Sequence, residues 1–278
     1  MNLEQRLSLA NTLVAEAGRL ALAAYAAPSI EVSSKSPGDL VSETDFAIER
    51  MIRTEVGNAF PHDNIIGEEL GGGASSAGYT WLIDPIDGTV NFARKLGYFC
   101  ISLALLSDGR PVAAWILDPV QNELFHAGPD GVVRVNEAEV SCSQETDLLE
   151  AVIGLGFSSR HGSEVAANVI AGLTAVGTEH RRLGAGALCL AHVAAGRLEG
   201  YLEPHMNPWD AVGGLYLAAC AGAVTGHYLE ANGLAAGAPV YAVAPLLSKQ
   251  LLAALPAPFS GTPLHRENEP RSTGKVAN

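Results

Sequence analysis

Two aspartates spaced three apart, Asp84 and Asp87, close an apolar run in WLIDPIDGTVNF, residues 81–92. Four more acids, in three other stretches, share that setting. Glu68 and Glu69 follow Gly67 in IIGEEL, Asp210 follows Trp209 in NPWDAVGG, and Asp45 opens an amphipathic stretch. A carboxylate at the end of an apolar segment is partly desolvated, so its ionised form is costly unless something pairs with it. No matching cluster of Lys or Arg lies nearby in sequence. The economical partner is a hard divalent cation with oxygen ligands, such as Mg²⁺. Gly88 and Thr89 follow at once, and the free N–H groups of a short helix starting there would suit a phosphate. Metal ligands beside a phosphate cradle describe metal-assisted phosphoryl chemistry.

The spacing constrains the backbone. In a continuing strand, residues three apart point to opposite faces. Pro85 has no N–H for a sheet, so the strand is expected to stop at Asp84. A turn would then bring Asp87 and the Ile86 carbonyl round to the same side. Each acid also has an ordinary reading. Ser42 and Asp45 fit Ser-x-x-Asp, a helix capping box, and alone favour that assignment. Glu68-Glu69 alone is a solvated pair, Asp210 alone a first-turn helix acid, and Asp87-Gly88 alone a turn. The WLIDPIDGTVNF stretch is the exception, because its ordinary reading leaves buried acids unexplained.

The elements that must position these groups follow from periodicity. Residues 3–26 and 43–59 carry helical spacing, separated by a polar loop over 31–40. Strands are expected at 79–83, 100–106 and 112–117, with an Asp108-Gly109 turn between the last two, then at 123–127 and 132–135 around Asp130-Gly131. Beyond residue 145 the rhythm alternates: strands at 151–156, 200–203 and 224–228, helices at 163–175, 186–196 and 209–221. The class is α/β, of the α+β kind, in two halves, 1–145 and 146–260. A ligand cleft is expected between them, and a disordered tail over 261–278.

At 278 residues and 48% hydrophobic, the chain can bury a large core. Its net charge of −13 and scattered arginines disfavour direct nucleic-acid binding. Four cysteines lie far apart with no C-x-x-C, as in a reduced, cytoplasmic protein. The uncharged run 211–226 is shorter than the roughly 18–20 residues of a membrane span. No P-loop and no G-x-S-x-G is present, and the eight histidines form no metalloprotease pattern.

In their order and separation, GEE, WLIDPIDGTVNF and WDAVGG resemble the inositol monophosphatase family, supported by KSPGDLVSETD at 35–45 and the glycine- and Tyr-Leu-Glu-containing stretch over 196–203. The resemblance covers roughly residues 5–255. It implies a layered αβαβα sandwich of the inositol monophosphatase and fructose-1,6-bisphosphatase type, a homodimer, and a Mg²⁺-dependent, lithium-sensitive phosphomonoesterase. By motif, Glu68, Asp84 and the Ile86 carbonyl would hold one Mg²⁺. Asp84, Asp87 and Asp210 would hold a second, and Glu68 would take part in a looser third. Thr89, hydrogen-bonded to Asp45, would activate the attacking water. Gly88 and Thr89 amides would hold the phosphate, and Asp87 and Glu203 would contact a phosphorylated polyol such as inositol 1-phosphate. Histidinol phosphate, fructose 1,6-bisphosphate and a 3′-phosphoadenosine nucleotide are the alternative substrates, and a regulatory protein keeping the fold is the alternative of another class.

Two departures bear on substrate. The family usually places Ser or Thr after the glycine of the segment that here reads Gly184-Ala185-Gly186-Ala187. Ala185 and Gly186 therefore remove a hydroxyl and a methyl from an expected substrate wall, which would widen the pocket or cost it a polar contact. The segment 203–209, with Pro204, His205 and Asn207, also differs from the animal members.

Overall fold

The computed structural model describes residues 2–36, 39–73, 77–157 and 162–259. Pro37 and Gly38 of the expected loop, and the tail expected over 261–278, lie outside the described residues. The first part of the chain runs α1 (Leu3–Ala26), β1 (Val32–Ser36), β2 (Asp39–Ser42), α2 (Glu43–Ala59), β3 (Asn64–Gly67), β4 (Tyr79–Asp87), α3 (Thr89–Ala93), β5 (Cys100–Ser107), β6 (Arg110–Asp118), β7 (Glu123–Ala127), β8 (Arg134–Val135) and β9 (Ala138–Glu139). It continues with β10 (Val152–Leu155), α4 (Ser163–Ala175), β11 (Glu179–Arg181), α5 (Gly186–Ala194), β12 (Gly200–Met206), α6 (Pro208–Cys220), β13 (Val224–Thr225), α7 (Gly233–Ala236), β14 (Ala238–Val243) and α8 (Ser248–Ala254).

Five layers result. Strands β3 to β9 form a seven-stranded sheet in sequence order, and a five-stranded sheet runs β11-β10-β12-β14-β13. Alternation along the strands assigns the faces. Trp81, Ile83, Ile101, Leu103 and Leu105 pack with Ala10, Leu13, Ala17, Ile48 and Ile52 of α1 and α2. Their neighbours Leu82, Ala104 and Leu106 face the other way, into the core built around α5 and α6. That core reaches the second sheet through Tyr201, Val240 and Ala242. The outer face of the second sheet, with Ile153, Leu155, Leu202 and Val243, is covered by Val169 and Leu173 of α4 and Leu251 and Leu252 of α8. The order α1/α2, sheet, α5/α6, sheet, α4/α8 is the αβαβα sandwich expected.

Three local expectations are corrected. The stretch 31–40 is not an open loop: β1 and β2 pair antiparallel across it. The strand carrying Asp84 does not stop at Pro85. It runs to Asp87 with a bulge, because Asp84 and Asp87 oppose Ser102 and Cys100, three residues against two. The extra residue relieves Pro85 of any ladder bond and turns Asp87 onto the face of Asp84. Short runs such as NIIG and APVYAV also form strands that periodicity did not single out.

Candidate active site

The acids converge because three elements end at one point. Strand β3 lies parallel to β4 with Gly67 opposite Ile83, and the Glu68 amide donates to the Ile83 carbonyl at 3.1 Å. Glu68 is thereby set beside Asp84. Asp210 arrives on the first turn of α6, where Pro208 begins the helix. Ser102, the register partner of Asp84, donates through its hydroxyl to the Trp209 carbonyl at 3.1 Å and ties α6 to the sheet. Glu68, Asp84 and Asp210 each offer a carboxylate oxygen within 4.8 Å of the others. Asp84 is buried, and Glu68 and Asp210 are half-buried. Glu69, considered with Glu68 from the sequence, is not among the converging groups.

Electrostatics make this an unfavourable place for bare carboxylates. Burial first, then Glu68, Asp210 and Asp87, push Asp84 well above the usual carboxylate range. Burial, then Glu68 and Asp87, do the same to Asp210. Concentrated negative charge in a desolvated setting fits a divalent cation held by carboxylate oxygen.

Asp87 stands beside this trio with another engagement. Its Oδ2 accepts the Ala187 amide at 2.7 Å and the Cys100 thiol at 3.7 Å. Burial raises it to about 6, against the lowering by the amides of Ala187, Gly186 and Leu188. Asp87 thus caps α5, whose own N-cap residue is Ala185, without a capping side chain. This revises the reading of Ala185. It is 1% exposed, so the hydroxyl it lacks is first a missing helix cap, which Asp87 supplies from the other half of the chain. Gly186 is revised too. A Cβ there would come within 2.8 Å of the Tyr201 hydroxyl and of the Met206 methyl. The room expected from its missing methyl is already filled.

The water-activating pair is not hydrogen-bonded as the resemblance implied. Thr89 donates through its hydroxyl to the Ile86 carbonyl at 3.0 Å, three residues back across the bulge, while the Ile86 amide donates to Asp84 Oδ1 at 3.0 Å. Asp45 does form the capping box: its Oδ2 accepts from the Ser42 amide at 2.9 Å and hydroxyl at 2.5 Å. Yet its Oδ1 is buried without a hydrogen-bond partner. One oxygen is thus engaged in the cap and the other is left over. Burial raises Asp45 to about 6, against the Ser42 bonds, with Glu68 adding to the rise.

A cavity of about 160 Å³ opens beside the acids, lined by Asp87, Asp210, Gly186, Glu203 and, unforeseen from the sequence, Tyr201 and Arg182. Glu203 Oε2 accepts the Tyr201 hydroxyl at 2.5 Å. Burial lifts Glu203 to about 7, moderated by Tyr201 and by the positive charge of Arg182. Tyr201 could have been found by strand periodicity, being two residues before Glu203 and on its face. Gly88 turns the chain into α3 beside this cavity. Asn91 on α3 donates to the carbonyls of Tyr98 and Leu183 at 2.7 and 2.8 Å, stapling the loop after α3 to the stretch before α5.

Comparison with known proteins agrees with this geometry. A Nus factor SuhB of Xylella fastidiosa is 36% identical over 196 residues, 70% of this chain and 71% of that protein. An inositol-1-monophosphatase of Mesorhizobium japonicum is 33% identical over 84% of this chain and 88% of its own. Among solved structures, the extragenic suppressor protein suhB of Bartonella henselae superposes with a TM-score of 0.83 at 27% identity, over 91% of this chain and 99% of that one. The Thermotoga maritima IMPase gives 0.79, also at 27% identity, over 90% and 96%. The family model described as the inositol monophosphatase family matches residues 2–257, and with the acids, bulge and layers in place the chain belongs to that family.

Proposed function

We propose that this chain, a member of a phosphatase family, hydrolyses a small phosphomonoester with Mg²⁺, inositol 1-phosphate foremost, to the alcohol and phosphate. The observation that carries the reading is the convergence of Glu68, Asp84 and Asp210, set beside a cavity that also holds Glu203. Glu68, Asp84, Asp210 and the Ile86 carbonyl would hold two to three ions, with Asp87 alongside. Bound ions supply an acidified water and neutralise the phosphate oxygens. The chain's own groups do the rest. Asp45, with its open Oδ1, and Thr89 orient the attacking water, with Glu68 close by. The Gly88 and Thr89 amides receive the phosphate. Glu203, one oxygen fixed by Tyr201, presents the other to a substrate hydroxyl, and Gly186 lets that pair come close. Two halves, 1–145 and 146–260, meet at this site.

A phosphate-release panel with Mg²⁺ tests this, using inositol 1-phosphate, histidinol phosphate, fructose 1,6-bisphosphate and a 3′-phosphoadenosine nucleotide. Preference for inositol 1-phosphate is expected. Preference for another member replaces the substrate, and no turnover of any removes the catalytic reading. Similarity to proteins named Nus factors supports a second, regulatory role. An inactive Asp84→Asn variant that still complements a deletion strain would establish it. We also propose a cytoplasmic homodimer that binds neither membrane nor nucleic acid directly, with sedimentation as the test of its state. Among the described residues, no helix is long and apolar enough to cross a membrane.

A further inference from the structure

Glu49 is a charged side chain that the chemistry above does not use, yet it lies at 0% exposure on α2. A buried carboxylate is retained only where its bonds are good and its removal would leave partners stranded. Glu49 has four dealings with its surroundings, three of them on one turn. Its Oε2 accepts the Glu69 amide at 2.8 Å. Its Oε1 accepts the Leu70 amide at 3.2 Å and the Arg53 Nε at 2.7 Å. Its carboxylate also fills the space over Gly67, where a Cβ would sit 2.1 Å from Oε1. Arg53, held by Glu49, donates in turn to the Gly71 carbonyl. The turn closes on itself through the Gly67 amide and that same carbonyl, at 3.0 Å.

Residues 69, 70 and 71 are therefore each held by the Glu49–Arg53 pair, residue 67 lies under the Glu49 carboxylate, and residue 68 is bonded to Ile83 of the neighbouring strand. We propose that Glu49 is a positioning residue that holds the 67–71 turn so that Glu68 faces Asp84 and Asp210 before any ion binds. This rests on the reading of Glu68 as a metal ligand. Glu49 itself touches neither ion nor substrate. Charge-assisted bonds to two consecutive amides fix a turn more firmly than neutral ones would. A turn fixed in advance spares the ion the ordering of its own ligand.

The test is Mg²⁺ binding by titration calorimetry without substrate, together with kcat and KM at saturating Mg²⁺. Glu49→Gln keeps the volume and loses the charge. It is expected to fold, to weaken Mg²⁺ about tenfold, in the range seen when partners of metal ligands are removed, and to leave KM for the phosphomonoester unchanged. Gly67→Ala attacks the same contact from the other side and should weaken Mg²⁺ likewise. In a Glu49→Ala background, where the carboxylate is gone, Gly67→Ala should cost almost nothing more. Unchanged Mg²⁺ affinity in folded Glu49→Gln and Gly67→Ala overturns the proposal, as does strict additivity in the double variant. Glu68→Gln is the reference. If it binds Mg²⁺ normally, the ligand reading fails and the proposal with it. If it weakens Mg²⁺ while Glu49→Gln does not, only the positioning role fails.

Discussion

The strands that carry the acids, β4 and β12, are built alike and charged differently. Each lies inside its sheet, between two other strands. Each places proline directly after an acid, as Asp84-Pro85 and Glu203-Pro204. Each slips register by one residue there: Asp84 and Asp87 oppose Ser102 and Cys100, and Glu203 and Met206 oppose Val240 and Ala238. Proline is tolerated in interior strands only at such bulges. What differs is the company. Asp84 meets Glu68 and Asp210, which add to its burial. Glu203 meets the Tyr201 hydroxyl and the charge of Arg182, which moderate its rise, with Asp87 adding to it. One backbone device thus delivers two carboxylates to the same middle layer, one among other acids and the other beside a hydroxyl.

That contrast can be broken by experiment. Asp84→Asn should lower kcat about a thousandfold, the scale of losing preorganised charge stabilisation, with folding retained by circular dichroism. Near-normal turnover would erase the special standing of β4. Glu203→Gln should raise KM about tenfold, the worth of one charge-assisted hydrogen bond, and spare kcat. If kcat instead collapsed as for Asp84→Asn, the two strands would not differ in role. Lithium on the order of tens of millimolar should inhibit by competing for the carboxylate site, measured as phosphate release against Mg²⁺ concentration. Indifference to lithium would count against the site as drawn.

The smallest effect is on stability. Asp84 and Asp210 are raised well above the usual range, and Glu203 to about 7. An acid raised in the folded state stabilises fully below its unfolded value and loses that contribution as pH climbs through the folded one. The buried His192 is lowered to about 4, chiefly by burial, and its opposite contribution is essentially complete by about pH 6.5, the ordinary histidine value. The metal-free protein should therefore lose stability as pH rises from about 6.5 through about 7, the value of Glu203. The Tm should fall by about 2–4 °C per pH unit for each of these acids that is protonated in the folded state alone. Calorimetry with and without Mg²⁺ checks it, since the ion should flatten the slope by holding β4, while Glu203 keeps its share.

The sequence was most legible where chemistry and periodicity coincided. Glu68, Asp84 and Asp210 stand out because acids rarely end apolar segments, and α1, α2 and α6 because their spacing is regular. Strand β14 was missed, since APVYAV starts with small residues and proline and gains its strand character from pairing with β12 and β13. The bulge was hidden for another reason: one residue of slip leaves no mark in composition, so Pro85 looked like a terminus. Glu49 was hidden most completely. In ETDFAIERMIR it reads as an ordinary helix acid paired with Arg53 four residues on, and only the folded turn shows what else it holds.

The position of β3 carries a consequence about rates. It is the outermost strand of its sheet, with β4 on one side only, whereas α6 has its Ala211, Leu217 and Ala218 wholly enclosed at 0% exposure. Local opening begins where few neighbours must move. Amides of the 67–71 turn should thus exchange with deuterium long before those of α6, and ion exchange should follow the faster clock. The three carboxylates would then form one cluster in space but two in time, Glu68 on the edge of a sheet and Asp84 and Asp210 on an enclosed strand and helix.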